Sequence, residues 1–326
     1  MQNQIIIYQI AILAILVVIG IIATKTKIIT EGARKGIADL VFDVTLPLLI
    51  ITTFARIDMT PAILRNSGLV FLFTYFALAV MYTTGDLSAK LLRLKNNQRA
   101  VFINHHMFGN IVFLGFPLMD ALFPGGEGLL YAAVFQLASN SVMWTFGVWV
   151  FLKGAGGKRN EIWKNLLNPN TIAFFLGLMI MFFNIGLPDL LYEPLHGLGK
   201  STIYLSMLYI GAMLVQTRVK GIFKKPHVFL FSFNKLVLVP FVLAITVNLL
   251  SYWLFPGFGE IARKVVLLEA SMPAMATIVV MAHKFGSDAS LATENVFVST
   301  VLSIVTIPIV YSGIQLIDRL CAGLFA

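Results

Sequence analysis

Charged residues are scarce in this chain of 326 residues. Asp, Glu, Lys and Arg together make up 12% of it, whereas soluble domains carry about 25%. Hydrophobic residues make up 58%, and the mean hydropathy is +0.87. A water-facing surface cannot be built from this composition, which excludes a soluble globular protein. Cysteine is also nearly absent, and the lone Cys321 excludes an internal disulfide framework.

Long apolar runs are abundant instead, separated by short charged stretches, as in polytopic α-helical membrane proteins. The net charge of +9 does not indicate nucleic-acid binding, because the basic residues lie in loops between these runs. The first run is not preceded by Lys or Arg and has no A-x-A-like cleavage site, so we expect it to remain in the mature protein. We predict ten spans, at Ile5–Ala23, Gly36–Ala55, Gly68–Leu91, Ala100–Phe123, Gly128–Leu152, Pro169–Ile185, Leu198–Val215, Val228–Leu250, Ala262–His283 and Leu291–Ile317.

The loops between the spans differ strongly in positive charge. Most of the 24 Lys and Arg residues fall in alternate loops, for example around Lys25, Lys90, Lys158 and Lys224. The positive-inside rule places these loops in the cytoplasm, so we predict a multi-pass cell-membrane protein with both termini non-cytoplasmic.

The chain divides at its longest charged loop. We predict a first five-helix repeat at 1–152, a cytoplasmic linker at 153–168 and a second five-helix repeat at 169–326. Five spans is an odd number, so the halves enter the membrane in opposite orientations, which is the pattern of an inverted-repeat transporter.

Corresponding spans of the two halves, the fourth and the ninth, are interrupted. The fourth contains Gly109, Asn110, Gly115 and Pro117, and the ninth contains Ser271 and Pro273. Proline removes an N–H and clashes with the preceding turn, and non-helical backbone in a membrane must be buried or line a cavity. Both breaks lie ~15 Å from their cytoplasmic ends, near mid-bilayer. Matched breaks at this depth indicate a transport site, whereas ordinary proline kinks are the alternative.

Several stretches resemble the auxin efflux carrier family, whose plant members export auxin and whose bacterial members resemble malate or malonate permeases. Their order and spacing carry the resemblance, and they are GNIVFLGFPL (Gly109–Leu118), NPNTIAFFLGL (Asn168–Leu178), YIGAML (Tyr209–Leu214), KLVLVP (Lys235–Pro240), LEASMPAMATIVVMAHKFGSD (Leu268–Asp288) and STVLSIVTIPI (Ser299–Ile309). The resemblance implies ten helices, a scaffold and a transport domain, crossing fourth and ninth helices, and elevator-type transport of organic anions.

Neutral polar residues near the breaks are the candidate substrate ligands. Asn110 can donate to a carboxylate without burying an unpaired charge; capping a broken helix is the alternative. The family motif N-x-x-x-x-G-x-P is matched at Asn110, Gly115 and Pro117, and the resemblance implies that its Asn contacts the substrate carboxylate. The full set of candidate substrate-binding residues is Asn110, Gly109, Pro117, Gln136, Asn140, Ser271 and Pro273, with Ser299, Thr300 and Ser303 as further lining residues.

Ionisable residues within spans are the candidates for coupling charge movement to transport, because each is costly to bury. Asp86 resembles an acidic residue of the plant members. It lies at a depth similar to that of Lys235, which predicts a salt bridge between them; pairing of Asp86 with Lys90 is the alternative. Glu269, one turn before Pro273, is a protonation site, a cation ligand or a partner of the kinked backbone.

Other buried charges give weaker indications. Asp39 and Asp43 form a like-charge pair on one helix face, and His105 and His106 are expected to line the inner vestibule. Adjacent histidines point about 100° apart, and no HExxH spacing or nucleophile–base pair is present, so we expect neither a metal site nor an enzyme.

These observations predict an all-α polytopic membrane protein that acts as a secondary transporter of small organic anions, without a cofactor. The alternatives are a sodium-coupled symporter of the bile acid transporter type and a transport-inactive sensor. The coupling ion is a proton, a sodium ion or absent. The expected partners are the anion and the lipid bilayer, with no nucleic acid, and the oligomeric state is open between a monomer and a homodimer.

Overall fold

The computed structural model describes residues 2–155, 169–216, 222 and 225–325. Their regular secondary structure is helical. These residues form no β-strand, but they contain an isolated antiparallel β-bridge. The predicted all-α class is therefore confirmed. Most of the predicted linker 153–168 falls at 156–168, outside the described residues.

Helices follow one another closely along the described chain, and their bounds agree with the predicted apolar runs to within several residues. In chain order they are α1 (Gln2–Lys25), α2 (Glu31–Leu40), α3 (Leu46–Phe54), α4 (Pro61–Leu91), α5 (Asn96–Met107), α6 (Phe116–Leu122), α7 (Glu127–Val142), α8 (Val148–Ala155), α9 (Pro169–Phe182), α10 (Asp189–Gln216), α11 (Pro226–Phe233), α12 (Val239–Leu254), α13 (Glu260–Ala270), α14 (Thr277–Lys284) and α15 (Ala289–Phe325).

Several of these helical segments are long enough to span a membrane. Five are long and apolar enough to cross a bilayer, at Glu31–Phe54, Pro61–Leu91, Asp189–Val215, Pro226–Leu254 and Ala289–Cys321. Large apolar side chains such as Phe175, Trp253 and Val305 remain exposed on the helix surfaces, which suits contact with lipid tails. The protein is thus a polytopic membrane protein.

Wide π-helical turns lead directly into several of these helices. Three such turns, at Val41–Thr45, Ile111–Gly115 and Asn234–Leu238, each end two residues before a proline that lies in the first turn of the next helix. A proline displaces the carbonyl four residues earlier, and a π-helical turn absorbs that displacement without ending the helix.

The chain forms two compact units, each drawn from both sequence halves. Unit 1 consists of Met1–Ser67, Val112–Val134 and Leu167–Thr217, and unit 2 consists of Gly68–Ile111, Phe135–Leu166 and Arg218–Ala326. Helices α1, α3, α9 and α10 form the packed body of unit 1. In unit 2, α15 packs against α11, α12, α13 and α14.

Within unit 1, glycines bring α1 and α10 into backbone contact. A Cβ atom added at Gly211 would lie 2.2 Å from the carbonyl oxygen of Val17, and one added at Gly20 would lie 2.5 Å from that of Leu208. In a bilayer, where the hydrophobic effect does not draw helices together, such close backbone packing is a main source of helix association.

The alanine variant Gly211→Ala is therefore expected to lower the free energy of unfolding by about 1–3 kcal/mol, because α1 and α10 must separate. Thermal unfolding of the purified protein in detergent measures the effect. Gly197→Ala is the matched control, since it lies on the same helix and its added Cβ would meet nothing within 4 Å. Equal unfolding temperatures for the two variants would contradict this account of the packing.

Candidate functional site

The predicted break in the fourth span is present. Helix α5 ends at Met107, Phe108–Asn110 are not helical, and the π-helical turn Ile111–Gly115 leads into α6. Pro117 does not lie in the unwound segment; it occupies the first turn of α6, two residues after the π-helical turn. Unwinding thus falls on Gly109 and Asn110, as the sequence predicts.

The predicted break in the ninth span is present as well. Helix α13 ends at Ala270, residues 271–276 are not helical, and α14 begins at Thr277. The hydroxyl of Ser271 donates to the carbonyl oxygen of Leu268 at 2.6 Å, and Pro273 lies fully within the buried interior. The N–H missing at Pro273 explains why the helix cannot continue.

The two unwound segments pair with each other inside unit 2. Gly109 and Ala274 form an antiparallel β-bridge, flanked by hydrogen bonds from the N–H of Asn110 to the Pro273 oxygen (2.8 Å) and from the N–H of Met275 to the Phe108 oxygen (3.3 Å). We call this pairing the crossover. It satisfies backbone groups that would otherwise be buried and unpaired, which explains why both breaks are tolerated.

Helix α15 supports the crossover from one side. The N–H of Ala274 donates to the hydroxyl oxygen of Ser299 at 3.0 Å, and that hydroxyl donates in turn to the carbonyl oxygen of Asn295 at 2.6 Å. Ser299 therefore holds the backbone of the unwound segment 271–276 through its hydroxyl; its prediction as a lining residue stays a prediction.

Gly109 has no room for a side chain at the crossover. An added Cβ would lie 2.9 Å from the Cβ of Met272 and 3.1 Å from its carbonyl oxygen. The absence of a side chain is thus what lets the two backbones approach within hydrogen-bonding distance.

Gly109→Ala is expected to force the two segments apart and lower the free energy of unfolding by about 1–3 kcal/mol, with a fall in transport rate. Uptake into proteoliposomes, measured beside thermal unfolding, checks both effects. Gly68→Ala in α4 is the control, because its added Cβ would meet nothing within 4 Å. Wild-type stability and uptake in Gly109→Ala would show that the close approach is dispensable.

Asn110 combines burial with a position at the end of the unwound segment. It is 3% exposed, and its backbone N–H already holds the crossover through Pro273. The amide side chain carries both donors and an acceptor, so it can recognise a carboxylate while remaining neutral. Helix α14 begins three residues after Ala274, and its N-terminal backbone N–H groups add partial positive charge nearby.

A buried lysine binds the C-terminal end of α5, where the first unwound segment begins. Lys235 lies on the π-helical turn Asn234–Leu238 and is 0% exposed. Its ammonium donates to the carbonyl oxygen of His106 at 2.8 Å and contacts the Met81 sulfur at 3.2 Å. His106 is the penultimate residue of α5, so a positive charge sits at the negative end of that half-helix, where it stabilises the helix dipole.

Glu269 is the acidic counterpart in the same interior. It is 1% exposed, and both carboxylate oxygens lack a hydrogen-bond partner among the described residues. Lys235 is its electrostatic partner. A carboxyl group buried without hydrogen bonds is a candidate for carrying a proton or meeting a cation, because either would neutralise it.

Asp86 does not form the salt bridge with Lys235 that the sequence led us to expect. Its carboxylate is bound instead by Lys90 at 2.8 Å and by Arg99, which reaches it with two nitrogens. The alternative partner, Lys90, is confirmed by the i,i+4 geometry on α4. Arg99, in the first turn of α5, was missed because it reaches Asp86 across a turn that the sequence pattern does not specify.

The remaining candidates fall into distinct places. Gln136 and Asn140 lie one turn apart on α7, both buried, and the Gln136 amide donates to the Asn140 oxygen at 3.0 Å. His105 and His106 are fully buried and do not face an open vestibule. The Nδ1 atom of His105 lies 3.3 Å from the amide nitrogen of buried Asn295. Asn295 was not among the predicted residues.

Asp39 and Asp43 are both exposed in unit 1. They are therefore not the buried like-charge pair that their spacing led us to expect. Among the described residues, neither aspartate takes part in an ion pair.

Comparison with known proteins agrees with this architecture. A family model described as a membrane transport protein matches residues 5–311. The chain belongs to this family. It is the auxin efflux carrier family, to which the sequence motifs pointed.

Two archaeal members of comparable length are similar along almost their whole sequences. An uncharacterized transporter of Methanocaldococcus jannaschii is 25% identical over 304 residues, covering 91% of this chain and 94% of the relative. An uncharacterized transporter of Methanothermobacter thermautotrophicus is 28% identical over 306 residues, covering 90% and 94%. The family and these names indicate a membrane transporter rather than an enzyme.

Proposed function

We propose that this transporter is a secondary carrier of small organic anions, with malate, malonate and auxin-like acids as the first candidates, and that the anion binds at the crossover. The observation that carries the proposal is the antiparallel pairing of two unwound segments, Phe108–Asn110 and residues 271–276. Paired breaks near mid-bilayer leave polar backbone and helix ends available to a substrate in an otherwise apolar interior.

Each candidate residue has a stated part in binding. The amide of Asn110 donates to the carboxylate, and Gly109 allows the close backbone approach. Ser271 and Pro273 shape the opposite segment, while Gln136 and Asn140 contribute polar surface from α7. Pro117 acts indirectly, through the π-helical turn that ends the break.

The ten predicted spans form a 5+5 inverted repeat in this proposal, with both termini outside the cytoplasm. Unit 1 serves as the scaffold and unit 2, which contains the crossover, serves as the transport domain of an elevator. The support is that unit 2 holds both broken segments, so the anion travels with one packed body.

Coupling is assigned to three ionisable residues, Asp86, Lys235 and Glu269. Efflux of an anion from an inside-negative cell needs no coupling, since the membrane potential favours it by about 2.3 kcal/mol per charge per 100 mV. Uptake needs a co-transported proton or sodium ion. We favour a proton or no ion over sodium, because the buried amine of Lys235 interacts electrostatically with Glu269 and can take up a proton where a metal cation would otherwise bind.

Uptake of labelled malate, malonate and indole-3-acetate into proteoliposomes tests this function, with and without proton or sodium gradients. We expect saturable uptake of at least one acid that does not require sodium. Strict sodium dependence would favour the symporter of the bile acid transporter type. A sensor would bind an acid without exchanging it across the bilayer, and no response to any of the acids would contradict the substrate class.

A further inference from the structure

A polar cavity lies within unit 2, and none of its lining residues belongs to the crossover. It has a volume of about 140 Å³, and the polar and aromatic residues that line it are Tyr82, Asp86, Asn96, Arg99, Trp149 and Lys153. These residues belong to the C-terminal part of α4, the first turn of α5 and α8, of which Trp149 is the second residue and Lys153 the sixth. Segments of three helices therefore meet at the cavity, which the predicted orientation places at the cytoplasmic face.

The charges at this cavity do not cancel. Asp86 binds Lys90 and Arg99, and Lys153 lies at the cavity wall as a third cation. Among the lining residues one carboxylate faces two cations, Arg99 and Lys153, and Lys90 adds a further positive charge from outside the lining, so the cavity attracts an anion. Arg99 donates to Asp86 from its Nε and from one terminal nitrogen. Because a guanidinium has five N–H donors, Arg99 has further donors for an anion.

The start of α5 adds to this attraction. The helix begins at Asn96, and its N-cap residue, Lys95, makes no side-chain capping bond. The Gln98 N–H donates to the Asn97 side-chain oxygen at 2.9 Å, and the first turn carries the partial positive end of the helix dipole. Asn96 and Arg99 from this turn line the cavity, which places this end of the dipole at the cavity wall.

An aromatic row forms the rim of the cavity. The ring centres of Tyr82 and Phe146 are 5.1 Å apart, and Phe146 stacks on Trp149 with 5.3 Å between the ring centres. The Lys153 ammonium lies 5.0 Å from the centre of the Trp149 ring. Trp149 is 48% exposed. Exposed Trp and Tyr beside Lys mark the headgroup level of a membrane, where an aromatic ring contacts acyl chains and an ammonium contacts phosphate.

We propose that this cavity binds the phosphate group of an anionic phospholipid from the cytoplasmic leaflet. Arg99, Lys153 and the start of α5 hold the phosphate, and Tyr82 and Trp149 pack against the first part of the lipid tails. Basic pockets between helices on the cytoplasmic side are suited to such headgroups. The volume admits a phosphate group with some water, while the tails remain in the bilayer.

Lipid affinity of the delipidated, full-length protein in detergent tests the proposal, without any transported substrate. The probes are phosphatidylglycerol and phosphatidylcholine, with retention measured by native mass spectrometry and thermal stabilisation. Phosphatidylglycerol is expected to bind at least tenfold more tightly than phosphatidylcholine, and Lys153→Gln to weaken its binding about fivefold. Lys153 is exposed, so this variant should fold normally.

Lys35→Gln is the matched control, an exposed lysine on the same predicted face but in unit 1. Equal loss of phosphatidylglycerol binding in both lysine variants would overturn the assignment to this cavity. Equal affinity for the two lipids would overturn the requirement for an anion. Inorganic phosphate that displaces the lipid completely at millimolar concentration would overturn the lipid assignment in favour of a soluble anion.

Discussion

Replacing Asn110 with alanine is expected to reduce organic-anion uptake by about tenfold to a hundredfold, because a hydrogen bond to a charged group is worth about 1.5–3 kcal/mol. The backbone of the crossover should survive, since Asn110 contributes its N–H rather than its side chain to the bond with Pro273. Initial uptake rates in proteoliposomes, at matched protein incorporation, measure the effect.

Asn248→Ala is the control for Asn110→Ala. Asn248 is also buried in unit 2, at 0% exposure, but its amide donates to the Ala244 oxygen within α12. Its loss should lower stability modestly and leave uptake nearly unchanged. If both asparagine variants reduced uptake equally, or if Asn110→Ala transported normally, the substrate role of Asn110 would be wrong.

Lys235→Met should strongly destabilise unit 2. It removes the donor to the His106 oxygen and the basic group that interacts electrostatically with buried Glu269. Leaving the buried His106 oxygen without its donor costs about 1–3 kcal/mol, and the lost interaction with Glu269 adds to that cost. Thermal unfolding in detergent should show the loss, and uptake should fall with it.

A double variant distinguishes charge loss from loss of packing. Lys235→Met combined with Glu269→Gln leaves no uncompensated charge, so part of the lost stability should return. Lys264→Met serves as a comparison: that lysine is also buried, but its partner Glu260 is largely exposed. Additive losses in the double variant would show that Lys235 and Glu269 do not interact.

Sequence reasoning predicted the helical class and the positions of both breaks well, because these depend on local chemistry. Gly109, Pro117 and Pro273 act on their own backbone, and a proline removes an N–H and crowds the preceding turn. Which turn unwinds is less local: Pro117 does not unwind its own turn but follows a π-helical turn, and the break falls seven to nine residues before it, while Pro194 and Pro308 lie inside continuous helices.

The side-chain partners could not be predicted from the sequence. Lys235 reaches a backbone oxygen 129 positions away, and Ser299 holds an N–H 25 positions away. Similar depth along two spans suggested that Asp86 and Lys235 would pair, but depth does not fix which helix faces meet. Arg99 satisfies Asp86 from the next helix, so Lys235 binds a helix end instead.

The proline and π-helical-turn pattern also links local structure to function. Lys235 lies on the turn that precedes Pro240, and the crossover lies directly before the turn that precedes Pro117. Wide turns of this kind commonly mark functional sites, since they rotate side chains out of the regular helical register. A proline needed for backbone geometry thereby positions a buried charge.

The most direct test of the central claim is substrate protection of a cysteine placed at the crossover. The chain has a single native cysteine, so Cys321→Ser gives a cysteine-free background. Ala276→Cys then adds a thiol at the end of the unwound segment, where the residue is partly exposed. A transported anion is expected to slow its modification by a charged methanethiosulfonate reagent, at concentrations near those that half-saturate uptake. Lys35→Cys, in unit 1, should be modified at the same rate with and without the anion. Unchanged labelling of Ala276→Cys in a protein that transports the anion would place the binding site elsewhere.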